Sequence, residues 1–128
     1  MNLADRLSAF SKLGDKIRSL SDSEIDSLAS SAKAQNAWFS ATSVTQAFSG
    51  IASMLEKEKL EKWSNNYDLN PDVPKIVGII MAGNIPMVGF HDLMSVLISG
   101  HIAAVKMSSQ DSFLITKVID WLVEIEPR

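Results

Sequence analysis

Apolar positions recur at helical spacing through the first half of the chain and gather into continuous runs in the second. Leu3, Leu7, Phe10, Ile17 and Leu20 fall mostly on one face of a predicted first helix. Ser21-Asp22-Ser23-Glu24 has the form of a capping box, opening a second helix with Ile25, Leu28, Ala29 and Ala32 on one stripe. Ser43-Val44-Thr45-Gln46 repeats that form ahead of Val44, Phe48, Ile51 and Leu55. The mixed charges from Glu56 to Lys62 read as a solvated continuation of the same helix, with Glu58 and Lys62 spaced to pair. Asn65-Asn66 and Asn70-Pro71-Asp72-Val73-Pro74 end this helical part, because these residues favour turns and oppose helix continuation.

Beyond Pro74 the pattern changes. Lys75 to Gly83 is apolar at both alternating sets of positions, as in a parallel strand covered on both faces. Pro86 suits the first turn of a helix, where its missing N–H costs nothing. Met87, Phe90, Leu93, Met94, Leu97 and Ile98 give that helix a broad apolar face, and Gly100 stands where a C-terminal glycine cap belongs. Ile102 to Val105 reads as a second strand. Ser108 and Asp111 are candidate caps for a last helix, with Leu114, Val118, Leu122 and Ile125 facing inward. The expected class is α/β. A helical lead-in over residues 1–70 precedes a β-α-β-α parallel crossover unit over residues 71–128. Two strands make an under-strength parallel sheet, which implies pairing with a second copy or membership of a larger domain.

Composition narrows the chemistry. The chain has 128 residues, 12 basic against 15 acidic side chains, a net charge of −3 and no cysteine. One domain is the expectation at this length. No disulfide, Cys-ligated zinc or thiol nucleophile can exist within these residues. The slight acidic excess, without a basic arm, argues against a nucleic-acid partner. Asn84, Pro86, His91, Asp92 and His101 interrupt the most apolar stretch, so no membrane span is expected, and a cytoplasmic location follows.

In open parallel sheets, ligands bind where strands end and helices begin. Met81-Ala82-Gly83-Asn84-Ile85-Pro86 and Lys106-Met107-Ser108-Ser109 occupy those positions, at the same edge of the sheet. Gly83 permits close backbone approach. The Asn84 amide can donate to a developing oxyanion, or it can simply cap the following helix; spacing alone favours the cap. Lys106, beside hydroxyls, suits ribose or phosphate contacts or else is a surface residue. Elsewhere the pattern is bland. His91 and Asp92 read as structural, His101 lacks a second metal ligand at suitable spacing, and Trp38, Trp63 and Trp121 read as core.

Two blocks carry a more specific likeness: Lys75 to Leu93 and Ser99 to Ser109. Met81-Ala-Gly-Asn-Ile-Pro-Met-Val-Gly-Phe-His-Asp92 resembles the signature of the bacterial acyl-CoA reductases, the fatty-acid reductases of bioluminescence among them, within the aldehyde dehydrogenase superfamily. Leu55 to Trp63 and Glu124 to Pro127 are similar more loosely. The resemblance implies a Rossmann-like cofactor domain, of which residues 71–128 would be the first part. It implies Asn84 as oxyanion donor and Lys106 as the lysine that binds the adenine ribose of NADPH or NADH. Ser109 stands where many relatives carry a ribose-gripping glutamate, which implies tolerance of a 2′-phosphate. Met81, Ala82, Gly83 and Ser108 would line the same cofactor wall. The proline–aromatic pair usual before the asparagine is replaced here by Ala82-Gly83. The implied reaction reduces a fatty acyl-CoA to an aldehyde through a cysteine acyl-enzyme. That cysteine lies downstream in the family, so the resemblance implies an N-terminal portion, inactive by itself. The competing expectation is a non-enzymatic α/β module that dimerises through its small sheet.

Overall fold

A computed structural model describes residues 1–128. Four helices come first: α1 (Leu3–Arg18), α2 (Asp22–Gln35), α3 (Ala41–Met54) and α4 (Lys57–Ser64). Strand β1 (Ile76–Ile80), helix α5 (Phe90–Ile98), strand β2 (Ile102–Lys106) and helix α6 (Ser112–Ile125) follow. The chain is thus mixed α/β, with six helices and a two-stranded parallel sheet in which Ile76 faces Ile102 and Ile80 faces Lys106. Helix α5 joins the two strands.

Local chemistry explains most boundaries. Asn2 caps α1 by accepting the Asp5 N–H at 2.8 Å. At α2 the capping box is complete: Glu24 N–H donates to Ser21 Oγ at 3.1 Å, and Ser21 N–H donates to Glu24 Oε2 at 3.0 Å. Gly100 follows α5 with φ +82°, the left-handed geometry that a glycine cap supplies without strain.

Several expectations are corrected. Helix α3 begins at Ala41, not Ser43, because Ser40 is the cap that accepts the Ser43 N–H at 3.0 Å. The Ser43 hydroxyl instead donates to the Ser40 carbonyl at 2.9 Å. Residues 56–62 do not continue α3. The chain turns at Leu55-Glu56, which lets both Leu55 and Leu60 enter the core, and the ion pairs are Lys59–Glu56 and Lys57–Glu61 rather than Glu58–Lys62. Pro86 lies in a turn ahead of α5, not in its first helical turn, because Met87 has φ +57° and cannot be helical. Trp38 is 91% exposed, and the neighbouring Phe39 takes the place in the core. His91 and Asp92 are both exposed; His91 lies against the Trp63 ring, and Asp92 sits in the first turn of α5. His101 accepts the Lys75 N–H through Nδ1 at 3.3 Å.

The core is a single cluster of 23 buried residues running through both halves of the chain. Helix α1 lies against α3, α4, α5 and α6, and Phe10 meets Phe90 edge-on at 6.3 Å. Arg6 reinforces this junction from within. Its guanidinium donates to the carbonyls of Met1, Leu69 and Ile98, so it satisfies backbone groups from three separate stretches.

The sheet departs from expectation in one respect. Helix α5 packs on one face, where Ile79 is buried and Val77, Ala103 and Val105 are half-buried. The opposite face, carrying Ile76, Gly78, Ile80, Ile102, Ala104 and Lys106, is open. Ile76, Ile80 and Ile102 are 74%, 84% and 54% exposed. The apolar run therefore reflects a face that no element of these 128 residues covers. No helix is long and apolar enough to cross a membrane.

Candidate functional site

Register places the two candidate segments together. Ile80 and Lys106 are partners at the last rung of the sheet, and Met81 N–H extends the ladder by donating to the Lys106 carbonyl at 3.0 Å. Residues 81–89 and 107–111 therefore leave from the same edge. They touch: a Cβ added to Gly83 would overlap the Ser108 side chain and approach Gln110 Cβ to 3.0 Å. Glycine at position 83 is what allows this contact.

The candidate residues divide by exposure. Asn84, Ala82, Lys106 and Ser109 are exposed, Ser108 is half-buried, and Met81 and Gly83 are buried. The Met81 side chain belongs to the core and lies against Gly89, so only its backbone can face a ligand. Asn84 does not cap a helix. The N-terminal flank of α5 is Gly89, without any side-chain cap bond, which removes the reading that spacing favoured. The Asn84 amide is left at the surface of the turn, while Lys106 presents its ammonium from the open face of the sheet.

The expected caps of α6 also have other partners. Ser108 Oγ accepts the Gln110 N–H at 3.2 Å within its own turn. Asp111 makes no cap bond; its Oδ2 accepts the Met87 N–H at 2.5 Å, across the two segments. Helix α6 is capped instead from α2, where Gln35 Oε1 accepts the Phe113 N–H at 3.2 Å and Gln35 Nε2 donates to Ser112 Oγ at 2.5 Å. The next residue, Asn36, donates from Nδ2 to the Gly83 carbonyl at 3.2 Å. Burial pushes the Asp111 carboxyl up from the ordinary 3.8 to about 6, and the Met87 N–H opposes that rise.

Gln35 and Asn36 escape a reading of the sequence, and Asp111 is read there only as a helix cap, for one reason. Their partners are remote: Asn36 and Gly83 are 47 positions apart, and spacing along the chain carries no mark of that pairing. The only local hint is at Asp111, a charged residue followed at once by an apolar helix.

As chemistry, the edge offers an exposed amide donor at Asn84 and an ammonium and hydroxyl at Lys106 and Ser109. No group of three or more His, Asp and Glu side chains is placed to hold a metal ion. Comparisons with protein-family models, with curated proteins and with solved structures returned no match.

Proposed function

We propose that these residues form the oxyanion-donor turn and one wall of the cofactor site of an NAD(P)H-dependent acyl-CoA reductase. The observation that carries this reading is the shared edge. Asn84, freed from any capping duty, and Lys106 leave adjacent, in-register parallel strands at their C-terminal ends. The donor set fits the cofactor. Lys106 and Ser109 bring an ammonium and a hydroxyl to the end of β2, a combination suited to ribose hydroxyls, and position 109 carries no carboxylate to repel a 2′-phosphate. When bound, the nicotinamide supplies the hydride that turns the acyl group into an aldehyde.

The residues of this chain act by positioning and by charge. Asn84 donates its side-chain N–H to the thioester oxygen as that oxygen gains negative charge, which lowers the barrier to cysteine attack and to departure of CoA thiolate. Lys106 binds by direct contact at the end of β2. The attacking cysteine comes from outside these 128 residues, which contain none. Asn84→Ala in the intact gene product should lower the rate of acyl-CoA-dependent NAD(P)H oxidation by about 10²–10³-fold. Unchanged turnover in that variant, or no turnover in the parent protein, would sink the reading.

The open sheet face favours a second reading, a non-enzymatic module that pairs with a copy of itself. An apolar strand pair exposed on one face is unusual for a parallel sheet. Sedimentation of the chain and of its Ile80→Lys variant separates the two. A dimer that becomes a monomer on substitution supports self-pairing, and a monomer in both cases removes it.

A further inference from the structure

Asn84 lies in a short span between two buried anchors. At one end the Gly83 carbonyl accepts the Asn36 Nδ2–H at 3.2 Å. At the other the Met87 N–H donates to Asp111 Oδ2 at 2.5 Å. Asn36 and Asp111 are only 8% and 2% exposed, in a core that is otherwise almost wholly apolar. We propose that Asn36 and Asp111 are positioning residues for Asn84, clamping both ends of the turn that carries it.

Each anchor is itself fixed. Asn36 Oδ1 accepts the Trp38 N–H at 3.0 Å, and its own N–H donates to the Ala32 carbonyl at 2.9 Å, so the side chain is held at the end of α2. Its neighbour Gln35 grips the start of α6, so one turn of α2 sets both segments. Gly83 lies close against Ser108, with no room for a side chain between them. Between the anchors lie Asn84, Ile85 and Pro86, and the proline ring restricts the backbone further.

Two costs show that the clamp is held against opposition. Met87 sits at φ +57°, a region that costs a non-glycine residue about 1–3 kcal/mol and persists only where surrounding contacts impose it. Asp111 Oδ1 has no hydrogen-bond partner despite its burial. A buried, half-satisfied carboxylate is expensive where only a cap is wanted, since a neutral residue serves as well. Here it supplies what a neutral side chain supplies less strongly, a charged acceptor for one strained amide. A donor fixed in place before charge develops loses no free energy to reorganisation in the transition state.

The setting of Asp111 is simple electrostatically. The 81–89 segment has no ionisable side chain, α2 faces it with Gln35 and Asn36, and along α6 the first ionisable residue is Lys117. Burial and the Met87 N–H are the two influences on its carboxyl.

The meaning of the clamp for catalysis rests on the reading of Asn84 as an oxyanion donor; the clamp itself does not. Proton–nitrogen correlation NMR on the chain between pH 4.5 and 8 tests it directly. The Met87 amide proton should move downfield as Asp111 ionises, with the Asn84 backbone amide following at the same midpoint. Both should be flat in Asp111→Asn, which keeps an acceptor and the fold. Asn36→Ala should displace the Asn84 signals while leaving the Met87 titration intact. Asn84 signals indifferent to both variants overturn the proposal. In the intact gene product, Asp111→Ala should lower kcat by up to about 10²-fold with KM for acyl-CoA little changed, and Asp111→Asn should restore most of it. Absence of reductase activity in the parent would remove the enzyme reading, while the Asn84 signals would still decide whether the clamp exists.

Discussion

Asp111 shows how one residue can serve position at the expense of stability. Its carboxyl is raised to about 6 in the folded chain against an ordinary 3.8, so the native state holds its proton over a window where the unfolded state has released it. The favourable contribution is therefore complete below about pH 4 and lost as pH rises through about 6. Asp111→Asn removes the ionisation and keeps an acceptor for Met87. It should be more stable than the parent at pH 8, by on the order of 2 kcal/mol, with the gap closing toward pH 5. Urea unfolding at the two pH values measures this. A variant weaker than the parent at pH 8 would mean that the charged bond outweighs its desolvation. At this scale the sequence exposes Asn84 and Lys106 as candidates, because strand ends and helix starts are local features. It hides Asn36, and it shows Asp111 only as a helix cap, because both act on backbone groups far along the chain. It also misplaces Trp38, since Trp38 and Phe39 are adjacent and only the turn after Asn36 decides which of them points inward.

At the scale of elements, five of the six helices are legible, because the apolar stripes of α1, α2, α3, α5 and α6 all mark faces that the structure buries, whereas the charged run of α4 reads as an extension of α3. Boundaries are less so. Serines at positions 40 and 43 both precede the α3 stripe, and a capping pattern can be drawn from either. The structure chooses Ser40, whose hydroxyl oxygen accepts the Ser43 N–H. Ser40→Ala should cost about 1 kcal/mol and Ser43→Ala markedly less, read from denaturant midpoints. Equal effects would show the helix start shared between them. The start of α5 is obscured for a different reason. Pro86 is compatible with a first helical turn, and nothing local reveals that Met87 sits in the left-handed region with its N–H on a remote carboxylate. The delay of α5 to Phe90 is what leaves Asn84 at the surface of a turn instead of bonded to helix amides.

For the molecule as a whole, α1 ties the helical half to the strand half, and the open sheet face leaves Ile76, Ile80 and Ile102 without a cover. The continuous apolar run over 76–80 marks a strand, but the cover expected on both sides is present on one side only. Which side stays bare is decided by where the helices pack, and no local pattern records that. Arg6 adds a consequence in time. The guanidinium bonds the carbonyl of Ile98, 92 positions later, and that of Leu69, 63 positions later. Neither bond can form on a ribosome until those carbonyls have been made and have emerged. At roughly 5–20 residues per second, α1 must wait several seconds for the last of these partners. During that wait its apolar stripe has only α3 and α4 to lie against, and its final seat is set by the second half of the chain. Of the six helices, α1 is made before the others and seated after most of them.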